Sequence, residues 1–135
     1  MKILVIDGQG GRLGRRLAEG IRKAFPEAEI TAIGTNSMAT ENMMRSECAD
    51  HLATGENAVI VGCRNADIII GPVGIAMADA MMGEISPAMA NAVASSSAYR
   101  VLIPMNLCRT YVAGVNQGSS AILEDALAHI REAAG

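Results

Sequence analysis

Aromatic side chains are scarce in this sequence: Phe25, Tyr99 and Tyr111 are its only ones, and tryptophan is absent. Proteins that bind single-stranded nucleic acid stack its bases on aromatic rings, and this chain has no such platform. A net charge of −3 also argues against a bulk polyanion such as DNA. We therefore expect no nucleic-acid partner.

Long hydrophobic runs are also missing. No stretch approaches the roughly 20 apolar residues needed to span a bilayer, and Met1–Ile6 lacks the length and cleavage site of a signal peptide. The three cysteines, Cys48, Cys63 and Cys108, are scattered, which favours reduced thiols over a disulfide framework. We expect a cytoplasmic protein without a membrane partner.

Motifs for metal binding or nucleophilic catalysis are equally sparse. Cys48 and His51 could offer two ligands, but the paired Cys-x-x-Cys motifs of zinc and iron–sulfur sites are missing. With only His51 and His129 in the chain, spacing suggests no Ser-His-Asp or Cys-His arrangement. We predict no metal site, and the catalytic residues, if any, stay unknown.

Aliphatic side chains are abundant and form short runs that predict strands. Half of the 135 residues are hydrophobic, enough for the core of one domain, which we assign to residues 1–135. Continuous, β-branched runs bounded by glycines are typical of parallel strands buried on both faces. The predicted strands are Lys2–Ile6, Glu29–Ile33, His51–Ala53, Asp67–Ile70, Arg100–Pro104 and, as a sixth, Thr110–Val115.

Apolar residues recurring every three or four positions predict a helix after each of the first strands. The predicted helices run from Leu13 to Pro26 and over Ala39–Cys48, Gly55–Ala66, Ile75–Met82, Pro87–Ser97 and Ile122–Ile130. For residues 58–61 a strand remains the alternative. The alternation predicts an α/β, single-domain, Rossmann-like fold: a mostly parallel, doubly wound sheet of five or six strands with helices on both faces.

The turn after the first strand, DGQGGRLGRR at residues 7–16, combines glycines with arginines. In parallel sheets, ligands bind beyond the carboxyl ends of the strands, where such a turn meets the start of a helix. The dinucleotide fingerprint fits only in a shifted frame, with Gln9 in place of the first glycine. The binding residues predicted here are Gly8, Gln9, Gly10, Gly11, Arg12, Leu13 and Gly14.

Arg12, Arg15 and Arg16 lie in the first turns of that helix, and residues 1–25 hold six Lys or Arg against two Asp or Glu. The helix dipole disfavours a cation there by roughly 0.3–1 kcal/mol, whereas a phosphate held by backbone amides and arginine would reverse that sign. Alternatively, the arginines point into solvent and the glycines only allow close packing. We favour a small anionic ligand, a nucleotide or a phosphorylated metabolite.

Asp7 would repel a phosphate unless something intervenes. A helix cap or an ion pair with Arg12 or Arg15 is favoured over a shared Mg²⁺. The acid that binds ribose hydroxyls in NAD sites is missing from the end of the second strand. Thr35 and Asn36 in its place could serve the 2′-phosphate of NADP or another nucleotide, or could simply form the turn.

A second glycine loop follows the fourth strand and would face the first loop across the switch point of the sheet. We therefore add Gly71, Pro72 and Gly74 to the predicted site, although glycines also serve simply to make tight turns. Four methionines, predicted on helices with mostly small neighbours, suit either a homodimer interface or core packing. They are Met77, Met81, Met82 and Met89, and on this basis we expect a homo-oligomer.

Five segments, MKILVIDGQGG, ATGENA, ADIIIGPVGI, MGEISPAMA and VLIPMNLC, follow one another along the chain. Together they resemble an uncharacterised family of short bacterial proteins known only as a domain of unknown function, over nearly the whole chain. The resemblance implies a Rossmann-like fold and carries no assigned reaction. More distantly, GGRLG after a strand is similar to the nucleotide loop of several NADP-dependent oxidoreductases.

Three functions remain open from the sequence. The first is a binding or regulatory module for a nucleotide or phosphorylated metabolite, because 135 residues cannot hold a dehydrogenase's substrate domain as well. The second is a minimal NADP-linked oxidoreductase or nucleotide-using enzyme completed across a homodimer, with Asp7 and Asn106 as polar participants. The third is a structural assembly partner without a ligand.

Overall fold

The structure is a computed structural model that describes residues 1–105, 109–115 and 117–134. Five parallel strands form one sheet in the order β3-β2-β1-β4-β5. They are β1 (Lys2–Asp7), β2 (Glu29–Gly34), β3 (His51–Thr54), β4 (Ile68–Pro72) and β5 (Tyr99–Ile103). The helices are α1 (Arg12–Ala24), α2 (Ser37–Met44), α3 (Glu56–Asn65), α4 (Pro87–Ser95) and α5 (Ser119–Ala133). The predicted α/β, doubly wound, Rossmann-like fold is confirmed.

The central strands are β1 and β4, whose side chains are buried on both faces of the sheet. Ile3–Ile6 and Ile68–Ile70 are all at most 2% exposed, which explains their continuous apolar sequences. The register pairs Ile3 with both Ile30 and Ile68. Each fully buried aliphatic side chain stabilises the fold by about 1.5–3 kcal/mol, so these runs fix the middle of the sheet.

Helices cover both faces, and the two-residue period of β1 divides its side chains between them. Ile3 and Val5 face the layer that contains α1 and α5. Leu4 and Ile6 face the layer that contains α3 and α4. The predicted placement of helices on both faces therefore follows from alternate residues of a single buried strand.

The prediction of a helix over Ile75–Met82 is wrong. A short 3-10 turn at Val73–Ala76 is followed by tight turns in which Asp79, Met81 and Met82 have φ of 66°, 57° and 57°. A right-handed helix cannot contain residues in this left-handed region. The Ala and Met residues favour a helix locally, but the loop conformation prevails.

Two other predictions about secondary structure, a sixth strand and a strand at residues 58–61, are wrong. Thr110–Val115 forms no strand, since its backbone is irregular, so the sheet has five strands within residues 1–105, 109–115 and 117–134. Residues 58–61 belong to α3, so their strand alternative is wrong. No helix in the described ranges is long and apolar enough to cross a membrane.

Candidate functional site

A cleft of about 780 Å³ lies at the carboxyl ends of β1 and β4. Its described lining begins with Asp7, the last residue of β1, and continues through residues 8–13. It also includes Pro72 at the end of β4, Gly74, the segment Met77–Met82, and Met105 after β5. The strand order reverses between β1 and β4, and doubly wound sheets bind ligands at such a switch point. The volume lies within the range of small-molecule sites.

Eight of the predicted site residues line this cleft. They are Gly8, Gln9, Gly10, Gly11, Arg12, Leu13, Pro72 and Gly74. Gly14, Thr35, Asn36 and Gly71 lie outside the described lining. A Cβ at Gly71 would collide with the carbonyl oxygen of Ile6, and one at Gly14 would lie 2.5 Å from Met43 Sδ, so both glycines allow close packing between elements.

Two amide groups remain available at the start of α1. The amide N–H of Arg15 donates to the carbonyl oxygen of Gly11 at 3.0 Å, and that of Gly14 donates to Asp7 Oδ2 at 2.7 Å. The amide groups of Arg12 and Leu13 donate to no acceptor among residues 1–105, 109–115 and 117–134. Both residues line the cleft. Unpaired amides at a helix start are the groups that bind anions in proteins.

Asp7 is the buried polar residue of this turn, with 5% of its surface exposed. Its Oδ1 accepts the amide N–H of Gly8 at 2.8 Å, and its Oδ2 accepts that of Gly14. Burial raises the pKa of Asp7, the hydrogen bonds from Gly14 and Gly8 lower it in part, and the charge of Glu84 raises it further, for a net increase. The favoured cap is confirmed: Asp7 caps α1 from the end of β1.

The three arginines of α1 have different surroundings. Arg12 is exposed and lines the cleft. Arg15 Nη1 donates to Asn42 Oδ1 at 3.2 Å, and its Nε lies 4.0 Å from Glu19 Oε1. Arg16 is exposed and does not line the cleft. Arg12 is therefore the arginine of α1 that is positioned to meet an anion in the cleft.

Gln9 has the backbone of the glycine that it replaces in the fingerprint. Its φ is 49°, in the left-handed region that glycine adopts readily and other residues rarely do. Its amide N–H donates to Glu84 Oε1 at 2.9 Å, and its carbonyl oxygen accepts Asn36 Nδ2 at 3.0 Å. The strained turn is thus fixed by groups from two other parts of the chain.

Glu84 joins the glycine loop to the end of β2. Besides the Gln9 amide, its Oε1 accepts the Thr35 hydroxyl at 2.6 Å and the Asn36 side-chain amide at 2.8 Å. Burial would raise the pKa of Glu84, but the hydrogen bonds from Thr35, Gln9 and Asn36 outweigh it and lower that pKa below its ordinary value. The Glu84 carboxylate therefore lies at the end of β2, where the sequence predicted no acid.

The methionines of the predicted helix surface separate into two environments. Met77, Met81 and Met82 lie on the loop beside the cleft and line it, so their assignment to a helix is wrong. Met89 lies on α4, is 3% exposed and packs in the core. Methionine is flexible and polarizable, so the cleft has an apolar, adaptable wall beside the glycine loop.

The cysteines and histidines are not grouped in the described part of the chain, where no three His, Cys, Asp or Glu side chains are close enough to hold a metal ion. His51 Nε2 lies 3.1 Å from Glu29 Oε1, and Cys48 Sγ lies 3.2 Å from the Ser46 carbonyl oxygen. Burial raises the pKa of Cys63 to about 11. Asn106 and Cys108 lie outside the described residues.

The family model described as "Domain of unknown function (DUF3842)" matches residues 2–134. The chain belongs to this family. The family resemblance predicted from five sequence segments is thereby confirmed. No curated protein matches the chain.

Among solved structures, this DUF3842 chain is similar to the one titled "Crystal Structure of dodecameric FMN-dependent Ubix-like Decarboxylase from Escherichia coli O157:H7". The TM-score is 0.46 and the identity 15%, over 98% of this chain and 93% of that one. So distant a likeness does not extend to ligand or reaction.

Sequence reasoning about the DUF3842 chain missed Glu84 and Met105 as residues of this region. Glu84 reaches Thr35 over 49 positions of the chain, and no spacing rule connects an acid in one loop with a hydroxyl in another. Met105 follows the end of β5, and the position of β5 next to β4 was a signal that could have found it.

Proposed function

We propose that this protein binds a small phosphorylated ligand, a nucleotide or a phosphorylated metabolite, in the cleft beside Gly8–Leu13, as a binding or regulatory module. One observation carries the proposal. The amide groups of Arg12 and Leu13 lack a described acceptor, and they border a cleft that the exposed guanidinium of Arg12 also lines. A phosphate would satisfy both amides and neutralise a cation at the unfavourable end of the helix dipole.

Gly10 argues for ligand binding over a purely structural role of the glycine loop, because packing does not require a glycine at this position. Gly11 and Gly14 are required for packing, because a Cβ on either would lie within 2.6 Å of α2. A Cβ on Gly10 would meet nothing within 4 Å, and its φ lies outside the positive range that favours glycine. A glycine that packing does not require, in the wall of a cleft, is suited to the close approach of a ligand to the backbone.

Three carboxylates lie near the loop, on Asp7, Asp79 and Glu84, so the support for an anion is local to the start of α1. The Asp7 and Glu84 carboxylates accept hydrogen bonds from backbone amide groups, which partly offset their charge. The exposed side of the turn presents Arg12 and the two remaining amides. Charge-assisted hydrogen bonds of this kind contribute about 1.5–3 kcal/mol each.

The experiment that tests this function is recovery of the ligand from purified protein. The protein is purified under non-denaturing conditions and denatured, and the released small molecules are identified by mass spectrometry and assayed for phosphate. We expect a phosphorylated compound at close to one per chain in the wild type and in Arg16→Ala, and its loss in Arg12→Ala. Recovery of a non-phosphorylated compound would contradict the proposal. So would recovery of the same amount of phosphorylated compound from Arg12→Ala as from Arg16→Ala.

A further inference from the structure

We propose that Glu84 closes the space between the glycine loop and the end of β2, where a dinucleotide would place its adenosine ribose. The site then takes a phosphate monoester with a compact apolar body and excludes dinucleotides. This inference rests on the proposed phosphate-binding function of the cleft and concerns which phosphorylated compounds it admits. It makes Glu84 a specificity-determining residue.

The space in question lies between the glycine loop and the end of β2. Dinucleotide-binding sheets place the pyrophosphate at the helix start and the adenosine ribose beside an acid at the end of β2. In this protein, the glycine loop and the end of β2 are joined by hydrogen bonds to Glu84. Glu84 Oε1 accepts from Gln9 on the loop side and from Thr35 and Asn36 on the β2 side, at 2.6–2.9 Å.

The side chains of this junction fill the space that a sugar ring would need. A Cβ built on Gly8 would lie 2.6 Å from Met81 Sδ, 2.6 Å from Thr35 Oγ1 and 3.0 Å from Glu84 Oε1. A ribose could enter only by displacing these side chains and breaking the hydrogen bond between Thr35 and Glu84. Thr35 and Asn36, the predicted contacts of a nucleotide, instead bond to Glu84 and lie outside the described lining of the cleft.

The segment that carries Glu84 is held by the core and by its own backbone. The amide of Asp79 donates to the carbonyl oxygen of Ile85 at 2.7 Å, and the amide of Ile85 donates to that of Ala80 at 3.2 Å. Ile85 is 1% exposed and packs among α3 and α4. The backbone at Glu84 is therefore anchored in the core, and its side chain can leave the junction only by giving up the three hydrogen bonds that Oε1 accepts.

The charges around the loop also favour a single phosphate. Asp7 already accepts the amide of Gly14, so the loop amide of Gly10 and the first-turn amides of Arg12 and Leu13 are the donors here without an acceptor among the described residues. A pyrophosphate would bring a second charged group to a loop flanked by Asp7 and Glu84. The lowered pKa of Glu84 keeps it ionised at neutral pH, so it would also repel the 2′-phosphate of NADP.

The remaining wall of the cleft indicates the rest of the ligand. Beyond the loop, most of the described lining is apolar, with Pro72, Met77, Met81 and Met105, and Asp79 is its one carboxylate. Thioether side chains adapt to planar and irregular apolar groups. A phosphate at the start of α1 would thus direct an apolar or planar body toward Pro72, Met77 and Met105, on the β4 and β5 side of the cleft.

Two fluorescent probes test this preference: 1-naphthyl phosphate, a phosphate monoester with an apolar body, and NADPH, a dinucleotide. We expect the wild type to bind 1-naphthyl phosphate at least about tenfold more tightly than NADPH. In Glu84→Ala, NADPH affinity should rise about tenfold or more, while affinity for 1-naphthyl phosphate stays within about threefold. Glu41→Ala, which removes an exposed acid of α2 paired with Arg45, should alter neither affinity.

The outcomes separate the two proposals. If the wild type binds NADPH as tightly as 1-naphthyl phosphate, the exclusion of dinucleotides is wrong and the phosphate site stands. If the wild type binds neither probe, the phosphate site is wrong and the exclusion falls with it. A folded Glu84→Ala that gains no NADPH affinity removes the role of Glu84. If circular dichroism shows that this variant is unfolded, the ratio of the wild type's affinities for 1-naphthyl phosphate and NADPH tests the exclusion of dinucleotides.

Discussion

The Asp7 carboxylate accepts the amide N–H of Gly14 at 2.7 Å, so the end of β1 caps the third residue of α1. No acid lies in the first turn of α1, and its N-cap, Gly11, has no capping side chain. Asp7 supplies both the missing acceptor and the missing negative charge from outside the helix. The cap leaves two amides at the helix start, and those are the groups that the phosphate proposal uses.

Asp7→Asn should change how stability depends on pH. Because the folded protein raises the pKa of Asp7, the unfolded chain loses this proton first as pH rises from about 3.9. This group therefore favours the folded state most at low pH, and its contribution declines until pH passes the raised pKa. Asp7→Asn should lack that decline. The poorer cap should also lower its free energy of unfolding, but by an amount that does not change with pH.

The measurement is chemical denaturation of both proteins at intervals from acid to neutral pH. The difference between their free energies of unfolding isolates Asp7 from Asp50 and Glu84, whose lowered pKa values act in the opposite direction in both proteins. A difference that is constant with pH would contradict the assignment.

The glycines of the loop should respond unequally to alanine. In Gly11→Ala the new Cβ would lie 2.6 Å from the Ala39 carbonyl oxygen, at a backbone φ of 71°. We expect a loss of about 2 kcal/mol or more in the free energy of unfolding, because the steric clash adds to left-handed strain. The matched variant Gly10→Ala, with open space around its Cβ, should stay within about 1 kcal/mol of the wild type. Equal losses in the two variants would contradict the described loop geometry.

Met82 offers a test of backbone strain in the loop beside the cleft. It is 98% exposed and has a φ of 57°, so its side chain contributes little packing while its backbone is strained. Met82→Gly should raise the free energy of unfolding by up to about 1 kcal/mol, as relief of strain exceeds the added entropy of the unfolded chain.

The matched control is Met38→Gly, at an exposed methionine in the first turn of α2. There glycine should lower the free energy of unfolding by up to about 1 kcal/mol, because it adds entropy to the unfolded chain and relieves no strain. Thermal or denaturant unfolding measures both variants, and a loss of stability in Met82→Gly similar to that in Met38→Gly would count against the left-handed conformation.

Strong local patterns made most of the fold predictable from sequence. Ile3–Ile6 and Ile68–Ile70 are strands because only a sheet covered on both faces buries such runs. Thr110–Val115 has strand-forming residues, yet Gly114 has a φ of 88° and the segment pairs with no described strand. Local propensity thus identified the buried strands and failed at a segment without partners.

The candidate site was predictable where it depends on one turn and unpredictable where it depends on tertiary contacts. Gly8–Leu13, predicted as binding residues, line the cleft because a loop between a strand and a helix lies at the sheet edge in this fold. Glu84 reaches the same place only because the loop before α4 folds back, against the helix propensity of its Ala and Met residues.

The most direct test of the central claim is titration of the wild type with 1-naphthyl phosphate, with 1-naphthol as the matched compound lacking the phosphate. We expect saturable binding of the phosphate ester at one per chain and much weaker binding of the naphthol. Arg12→Ala should weaken binding of the ester by about 10- to 100-fold, the loss of one charge-assisted interaction, and Arg16→Ala should leave it unchanged. Equal binding of ester and naphthol, or an unchanged affinity in Arg12→Ala, would contradict a phosphate site at the start of α1.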